Sequence, residues 1–232
     1  MSTYLVAGGS RGIGLELVRM LAPSASRIDV WSRELDGLRP KHREARRLRR
    51  HRIRPLPDPP DSIAGAVYCP GTVNLKSFRA LSEDDFRRDW EVNLLGAVRF
   101  LKACQPRLKG EDGTPASVVL FSTVAVGQGM PMHASVAAAK GAVEGLVRSP
   151  PRNGRRRSGS MPSPRRWWTP RWSSGCWPPQ RSARRCPHGI RSSGWGPPRM
   201  PAALARFLLS ADSGWITGQV LGLDGGMSTL RA

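Results

Sequence analysis

A glycine-rich turn near the amino terminus has the composition of a phosphate-binding loop. It consists of Gly8-Gly9-Ser10-Arg11-Gly12-Ile13-Gly14. Glycines let the backbone turn tightly and approach a pyrophosphate, whose charge is met by amide N–H groups at a helix amino terminus. This chemistry requires a strand before the turn and a helix after it.

The flanking sequence supplies both elements. Residues 3–8 form a short apolar run that predicts a strand, and residues 12–21 have the apolar spacing of a helix. Further strands are predicted over 27–31, 62–68, 116–121 and 219–223, and further helices over 81–108, 134–147 and 201–210, with Ser82 as an amino-terminal cap. This alternation predicts an α/β fold, a Rossmann-like doubly wound parallel sheet in three αβα layers. With 232 residues, the chain is long enough for one such domain and too short for two.

Several short motifs follow the glycine turn in order. They are Cys69-Pro70-Gly71, Glu91 to Gly96 (EVNLLG), Val118 to Thr123 (VVLFST), Ala139 to Val143 (AKGAV), Ile216 to Gln219 (ITGQ) and Leu223 to Gly226 (LDGG). Together with Ala7 to Gly14, these motifs resemble the short-chain dehydrogenase/reductase family over residues 3–36, 58–148 and 201–228. The resemblance implies an oxidoreductase that moves hydride between a nicotinamide cofactor and a small carbonyl or alcohol substrate.

The resemblance also implies which residues bind the cofactor. They are Gly8, Ser10, Arg11, Gly12, Ile13, Gly14, Ser32, Arg33, Asp58, Gly71, Asn93 and Lys140. In the family, an acid at the end of the second strand binds the ribose hydroxyls of NAD, whereas cations there favour the extra phosphate of NADP. Arg11 and Arg33 therefore favour NADP, while the nearby Asp29 keeps NAD open as the alternative.

The family's catalytic set is Asn, Ser, Tyr and Lys, and the chain matches it only in part. Asn93 and Lys140 correspond to the Asn and the Lys, and Thr123 or its neighbour Ser122 corresponds to the Ser. In the family the Tyr lies four residues before the Lys, whose charge lowers the phenol pKa for proton exchange. Here that position is Val136, which has no proton to exchange.

Three interpretations of Val136 stay open. The chain is a pseudoenzyme that binds cofactor without turnover, or His133 or Ser135 donates the proton instead, or the reaction tolerates the loss. A lysine without its tyrosine still binds the nicotinamide ribose hydroxyls. Cofactor binding is therefore expected to survive the substitution better than catalysis does.

The net charge of +20 is unevenly distributed. Residues 39–54 carry +8 and residues 149–200 carry +12, whereas the remaining residues hold 16 basic and 16 acidic side chains, as in a metabolic enzyme. The four cysteines lack C-x-x-C spacing, so we expect neither a metal site nor disulfides. We expect a cytoplasmic protein without a nucleic-acid or membrane partner, since no long apolar run and no signal peptide is visible; the resemblance implies a homo-oligomer.

Residues 149–200 differ in composition from the rest of the chain. They hold ten prolines, twelve arginines and no acid, and lack the periodicity of a strand or helix. Codons compatible with residues 160–172 can encode VNAIAPSLVDTPL when the reading frame is shifted by one base. In the same shifted frame, codons for residues 187–201 can encode ARHPLKRVGTPEDA, and both sequences resemble the family. We therefore interpret this stretch as an out-of-frame, non-native or disordered part of a single domain, and expect the last strand to lie beside a gap or a poor substitute. The alternative is a basic insert that binds nucleic acid.

Overall fold

The chain forms a parallel sheet with helices on both faces. The computed structural model describes residues 2–33, 48–52, 56–110, 115–149, 166–172 and 196–229. Its strands are β1 (Thr3–Ala7), β2 (Arg27–Ser32), β3 (Leu48–Arg52), β4 (Gly65–Tyr68), β5 (Ser117–Leu120), β6 (Ser122–Thr123), β7 (Arg166–Trp172) and β8 (Gln219–Leu223). Neighbouring strands follow the order β3-β2-β1-β4-β5-β7-β8, and β6, just after β5, also pairs with β7. The predicted doubly wound fold class is confirmed.

Each predicted helix is present, but the one predicted over 81–108 is divided into two, and α4 lies where none is predicted. They are α1 (Gly12–Leu21), α2 (Glu83–Trp90), α3 (Gly96–Cys104), α4 (Ala125–Gln128), α5 (Ala134–Arg148) and α6 (Arg199–Leu209). A π-helical turn, Glu91–Leu95, joins α2 to α3. The predicted cap at Ser82 is confirmed, because its hydroxyl accepts from Asp85 N at 3.2 Å and its own amide donates to the Asp85 carboxylate at 3.0 Å.

Alternate side chains of the central strands enter two separate cores, as expected when helices cover both faces of a sheet. Leu5 packs on one face with Phe100 of α3 and Val143 of α5. Val6 packs on the other with Leu17 of α1 and Leu208 of α6. The carboxyl ends of the parallel strands consequently meet at one edge, where the glycine turn follows β1.

Besides the two-residue β6, two strands lie where the sequence predicts none. β3 pairs with β2 at the edge of the sheet, and β7 lies between β5 and β8 within the segment predicted to be irregular. Of the two alternatives expected beside the last strand, a gap or a poor substitute, the gap is absent from the described residues, because β7 pairs with β8 from Trp168 to Trp172. Pro170 lies within β7, and its missing N–H removes one donor from the ladder. Most of residues 149–200, with Cys176 and Cys186, lies outside the described residues.

Two further properties concern only the described part of the chain. None of its helices is long and apolar enough to cross a membrane. Within the same residues, no three side chains of His, Cys, Asp or Glu are grouped so that they could hold a metal ion.

Candidate active site

The glycine turn begins where β1 ends and is closed by direct backbone contact. Gly8 has a φ of +76°, and its amide donates to Trp31 O of β2 at 2.7 Å. A Cβ added at Gly14 would lie 2.4 Å from Gly8 O, so only glycine fits there. Gly12, at the start of α1, has a φ of +54°, and a Cβ added to it would meet nothing within 4 Å. The turn is thus tight on its inner side and open beside Gly12.

The end of β2 faces this turn with a serine rather than an acid. Ser32 Oγ lies 2.5 Å from Ser10 Oγ, and both side chains are buried. Arg33 follows the strand and is exposed, as is Arg11, which precedes α1. The turn and the end of β2 therefore hold two buried serines, hydrogen-bonded to each other, and two exposed arginines.

Asp29 lies away from this edge. It pairs in register with Leu5, well before the strand ends, and its carboxylate accepts from Arg27 at 2.6 and 2.9 Å. The carboxylate is therefore bound within β2 itself, three residues before Ser32. Asp58, the other acid in the predicted set, is exposed in the coil before β4.

The glycine turn is continuous with a second group of site residues after β4. A Cβ added at Gly8 would lie 3.1 Å from the Pro70 ring and 3.2 Å from Cys69 Cβ. One residue further on, a Cβ added at Gly71 would lie 3.1 Å from Asn93 Oδ1 and 3.6 Å from Lys140 Nζ. The absence of a side chain at Gly71 thus leaves a space bordered by Asn93 and Lys140.

Lys140 enters this space from a largely buried position on α5. Its side chain is 8% exposed, and Nζ donates to Phe121 O at 2.8 Å. Burial lowers the pKa of the ammonium group to about 8, because the charged form loses solvation. Burial also raises the pKa of the nearby Cys69 thiol to about 12, against an opposing effect of the Lys140 charge.

The π-helical turn that carries Asn93 is held by a tyrosine from β4. Tyr68 Oη donates to Val92 O at 2.8 Å. This hydroxyl occupies the place where a side chain at residue 96 would lie, since a Cβ added at Gly96 would meet it at 2.1 Å. The spacing between Asn93 and Gly96 therefore has a structural reason: a π turn re-aims side chains, and a glycine makes room for the hydroxyl that stabilises it.

The two candidate hydroxyls after β5 have different partners. Ser122 Oγ donates to Glu144 Oε1 at 2.7 Å, and both side chains are buried. Thr123 Oγ1 accepts from Ala125 N at 3.4 Å. Ser122 thus donates its hydroxyl proton to a carboxylate. Thr123 only accepts in its bond with Ala125 N, which does not use its hydroxyl proton.

Val136, His133 and Ser135 are buried. Val136 is 2% exposed. His133 Nδ1 donates to Pro131 O at 2.7 Å in the tautomer that pairs with a carbonyl, and its buried Nε2 has no protein hydrogen-bond partner. Ser135 Oγ donates to Asp89 Oδ2 at 2.6 Å. Of these two side chains, Ser135 is bound to a carboxylate, and His133 retains a ring nitrogen without a hydrogen-bond partner.

Comparison with known proteins agrees with this architecture. Residues 59–156 match the family model described as enoyl-(acyl carrier protein) reductase. No curated protein sequence matches significantly.

Solved structures share the fold. A betaketoacyl-ACP reductase structure has a TM-score of 0.76 at 21% identity, with coverage of 99% of this chain and 98% of that chain. Levodione reductase has a TM-score of 0.77 at 19% identity, with the same coverage of both chains. A short-chain type dehydrogenase/reductase from Mycobacterium ulcerans has a TM-score of 0.74 at 20% identity, and the match covers 100% of this chain and 91% of that chain. Residues 59–156 therefore resemble the enoyl-(acyl carrier protein) reductase family model, and the chain shares the fold of these short-chain dehydrogenase/reductase structures.

Proposed function

We propose that the chain binds NADP and supports hydride transfer between that cofactor and a small carbonyl or alcohol. The observation that carries this proposal is the convergence of Asn93 and Lys140 on Gly71, next to a glycine turn that contacts Cys69 and Pro70. One continuous surface therefore extends from the turn to the lysine. When bound, the cofactor supplies or accepts the hydride.

The residues present fit such a cofactor at two places. The open side of Gly12 provides space for a pyrophosphate at the amino terminus of α1, where amide N–H groups and the helix dipole favour negative charge. The space beside Gly71 leaves room for a ribose that receives hydrogen bonds from Lys140. We assign Ser10 and Ile13 to the turn that positions the pyrophosphate.

The preference for NADP rests on the charges beside the turn. Arg11 and Arg33 are exposed, and Ser32 ends the strand where an acid would select NAD. Asp29 does not oppose this assignment, because it lies inside β2 and is paired with Arg27. The guanidinium groups would bind the 2′-phosphate of NADP through charge-assisted hydrogen bonds.

The test compares the affinities of NADPH and NADH. Arg33→Asp should weaken NADPH binding and reverse the preference towards NADH. Arg206→Asp, which makes the same charge change at an exposed position on α6, is the control and should leave both affinities unchanged. Equal affinities for the two cofactors, unaffected by Arg33→Asp, would contradict the assignment.

For catalysis, we assign Thr123 to hydrogen-bond the substrate oxygen and Lys140 to hold the ribose and supply positive charge. Ser122 is assigned a structural role, because its proton is given to Glu144. His133 is the remaining candidate for proton exchange at Val136, since its Nε2 has no protein partner.

A second candidate function is cofactor binding without turnover. It is favoured by Val136, which is buried and has no proton to exchange. General acid or base catalysis contributes typically about 100- to 10,000-fold. NADPH binding without measurable reduction of ketones, unchanged in His133→Ala, would support this candidate, and a rate abolished by His133→Ala would support the first.

We also propose that residues 149–200 arise from translation out of frame. The proposal is supported by their composition, by two stretches that resemble the family in one shifted frame, and by a family match that ends at residue 156. The coding nucleotide sequence with peptide mass spectrometry tests it. Recovery of peptides from this stretch as written, from a verified gene without compensating base changes, would contradict it.

A further inference from the structure

A buried carboxylate links the elements that carry Asn93 and Lys140. Asp89, on α2, is 1% exposed. Its Oδ1 accepts from Thr72 Oγ1 at 2.6 Å, and its Oδ2 accepts from Ser135 Oγ at 2.6 Å. Thr72 belongs to the loop after β4, and Ser135 to the first turn of α5. One side chain therefore joins three separate parts of the chain.

The same carboxylate determines how the Asn93 amide is oriented. The Thr72 hydroxyl has one proton, which it donates to Asp89 Oδ1. The Thr72 oxygen is then an acceptor, and Asn93 Nδ2 donates to it at 2.8 Å. The second Nδ2 proton is donated to Asp89 O at 2.9 Å, while Asn93 Oδ1 accepts from Thr72 N at 3.2 Å. A flipped amide would place its NH2 group against the donor Thr72 N, and its oxygen against the acceptors Thr72 Oγ1 and Asp89 O.

This network lies directly behind the space beside Gly71. Asn93 Oδ1, whose position the network determines, borders that space, and Lys140 borders it from α5. Ser135 lies on the same helix as Lys140, so its bond to Asp89 holds the first turn of that helix against α2. Loss of the carboxylate would release the amide and the helix together.

We propose that Asp89 is a positioning residue that holds Asn93, Gly71 and Lys140 in the arrangement that binds the nicotinamide half of the cofactor. This inference rests on the proposed function. Asp89 is not required for the adenine half, because the glycine turn, Ser32 and Arg33 lie at another part of the surface.

The test measures binding of NADPH and of 2′,5′-ADP, which contains only the adenine half, to the full chain. Asp89→Leu should weaken NADPH binding at least about fivefold, since buried polar groups left without partners are costly. It should leave 2′,5′-ADP binding within about twofold. Asp89→Asn retains one acceptor oxygen and should give a smaller loss of NADPH affinity.

Asp84→Leu is the matched control, because Asp84 is an exposed carboxylate on the same helix. It should change neither affinity. Should Asp89→Leu fail to fold, Ser135→Ala removes one of the two donors and should weaken NADPH binding selectively, by a smaller factor.

The outcomes separate the inference from the proposed function. Equal loss of NADPH and 2′,5′-ADP binding in the Asp89 and Ser135 variants would show a general structural role and overturn the inference alone. Unchanged NADPH binding in those variants would also overturn it. A wild-type chain that binds neither ligand would overturn the proposed function and, with it, the inference.

Discussion

Replacement of Gly14 by alanine should damage both the fold and the cofactor site. The added Cβ would lie 2.4 Å from Gly8 O and 3.0 Å from Gly9 Cα. Since Cβ atoms essentially never come within 3.0 Å of another heavy atom, α1 and the turn must separate by about 0.6 Å, the difference between 2.4 and 3.0 Å. Both contacts are with backbone, so no flexible side chain can relieve the clash.

The size of the effect follows from the cost of overpacking. Such clashes typically cost about 1–3 kcal/mol. For a chain of this length, each kcal/mol lowers Tm by about 2–4 °C, so Gly14→Ala should lower Tm by about 2–12 °C. The displaced backbone amides of the turn would no longer all face the proposed pyrophosphate position. The Kd for NADPH should therefore rise by about tenfold or more, which corresponds to a loss of about 1.4 kcal/mol of binding free energy.

Gly145→Ala is the control for this experiment. Gly145 lies inside α5, and a Cβ added there would meet nothing within 4 Å. Alanine is favoured over glycine inside helices by about 0.5–1 kcal/mol, so this variant should have a slightly higher Tm and an unchanged Kd. The reasoning would be refuted if Gly14→Ala kept both the Tm and the Kd of the wild type.

Other expected outcomes concern the catalytic residues. Val136→Tyr should raise NADPH-dependent ketone reduction at least about 100-fold in a steady-state assay, and an unchanged rate would show that the family's tyrosine mechanism is the wrong template. In the Val136→Tyr background, Thr123→Val should remove most of the gain in rate. Ser122→Ala should keep the rate but lower the unfolding free energy by about 1–3 kcal/mol, because Glu144 loses a buried donor. A rate loss in Ser122→Ala and none in Thr123→Val would reverse the two roles. Because burial lowers the pKa of Lys140 to about 8, the unfolded state binds more protons between that pH and the ordinary lysine value. The contribution of Lys140 to stability should therefore rise with pH through this window. Relative to Lys140→Met, the wild type should gain about 2 kcal/mol between pH 7.5 and 10 in urea unfolding, and a constant difference would contradict the lowered pKa.

The parts of the fold predicted from sequence are those set by local pattern. The strand before the glycine turn, α1, α5 and β8 each have an apolar pattern, and α2 has a clear start signal in the cap at Ser82. β3 and β7 were not predicted, because neither has the alternation or the uniform apolar run of a strand. Their place in the sheet depends on pairing with distant strands.

The candidate site could be predicted only where its residues follow a motif. Asn93, Lys140 and Thr123 were proposed in this way, and only the fold shows that Asn93 and Lys140 both lie beside Gly71. Asp89 was missed, because its partners Thr72 and Ser135 are 17 and 46 residues away in the sequence. An aspartate on a helix rich in charged residues is usually a solvated side chain, so composition offered no signal.

The proposed function requires that this chain bind NADP through the glycine turn and the surface that extends to Lys140. Isothermal titration of the purified full chain with NADPH, repeated with Gly14→Ala, tests it most directly. The account predicts saturable binding of one NADPH per chain, tighter than NADH binding and weakened about tenfold or more by Gly14→Ala. The absence of saturable binding to a folded wild-type chain, or equal binding by Gly14→Ala, would contradict it.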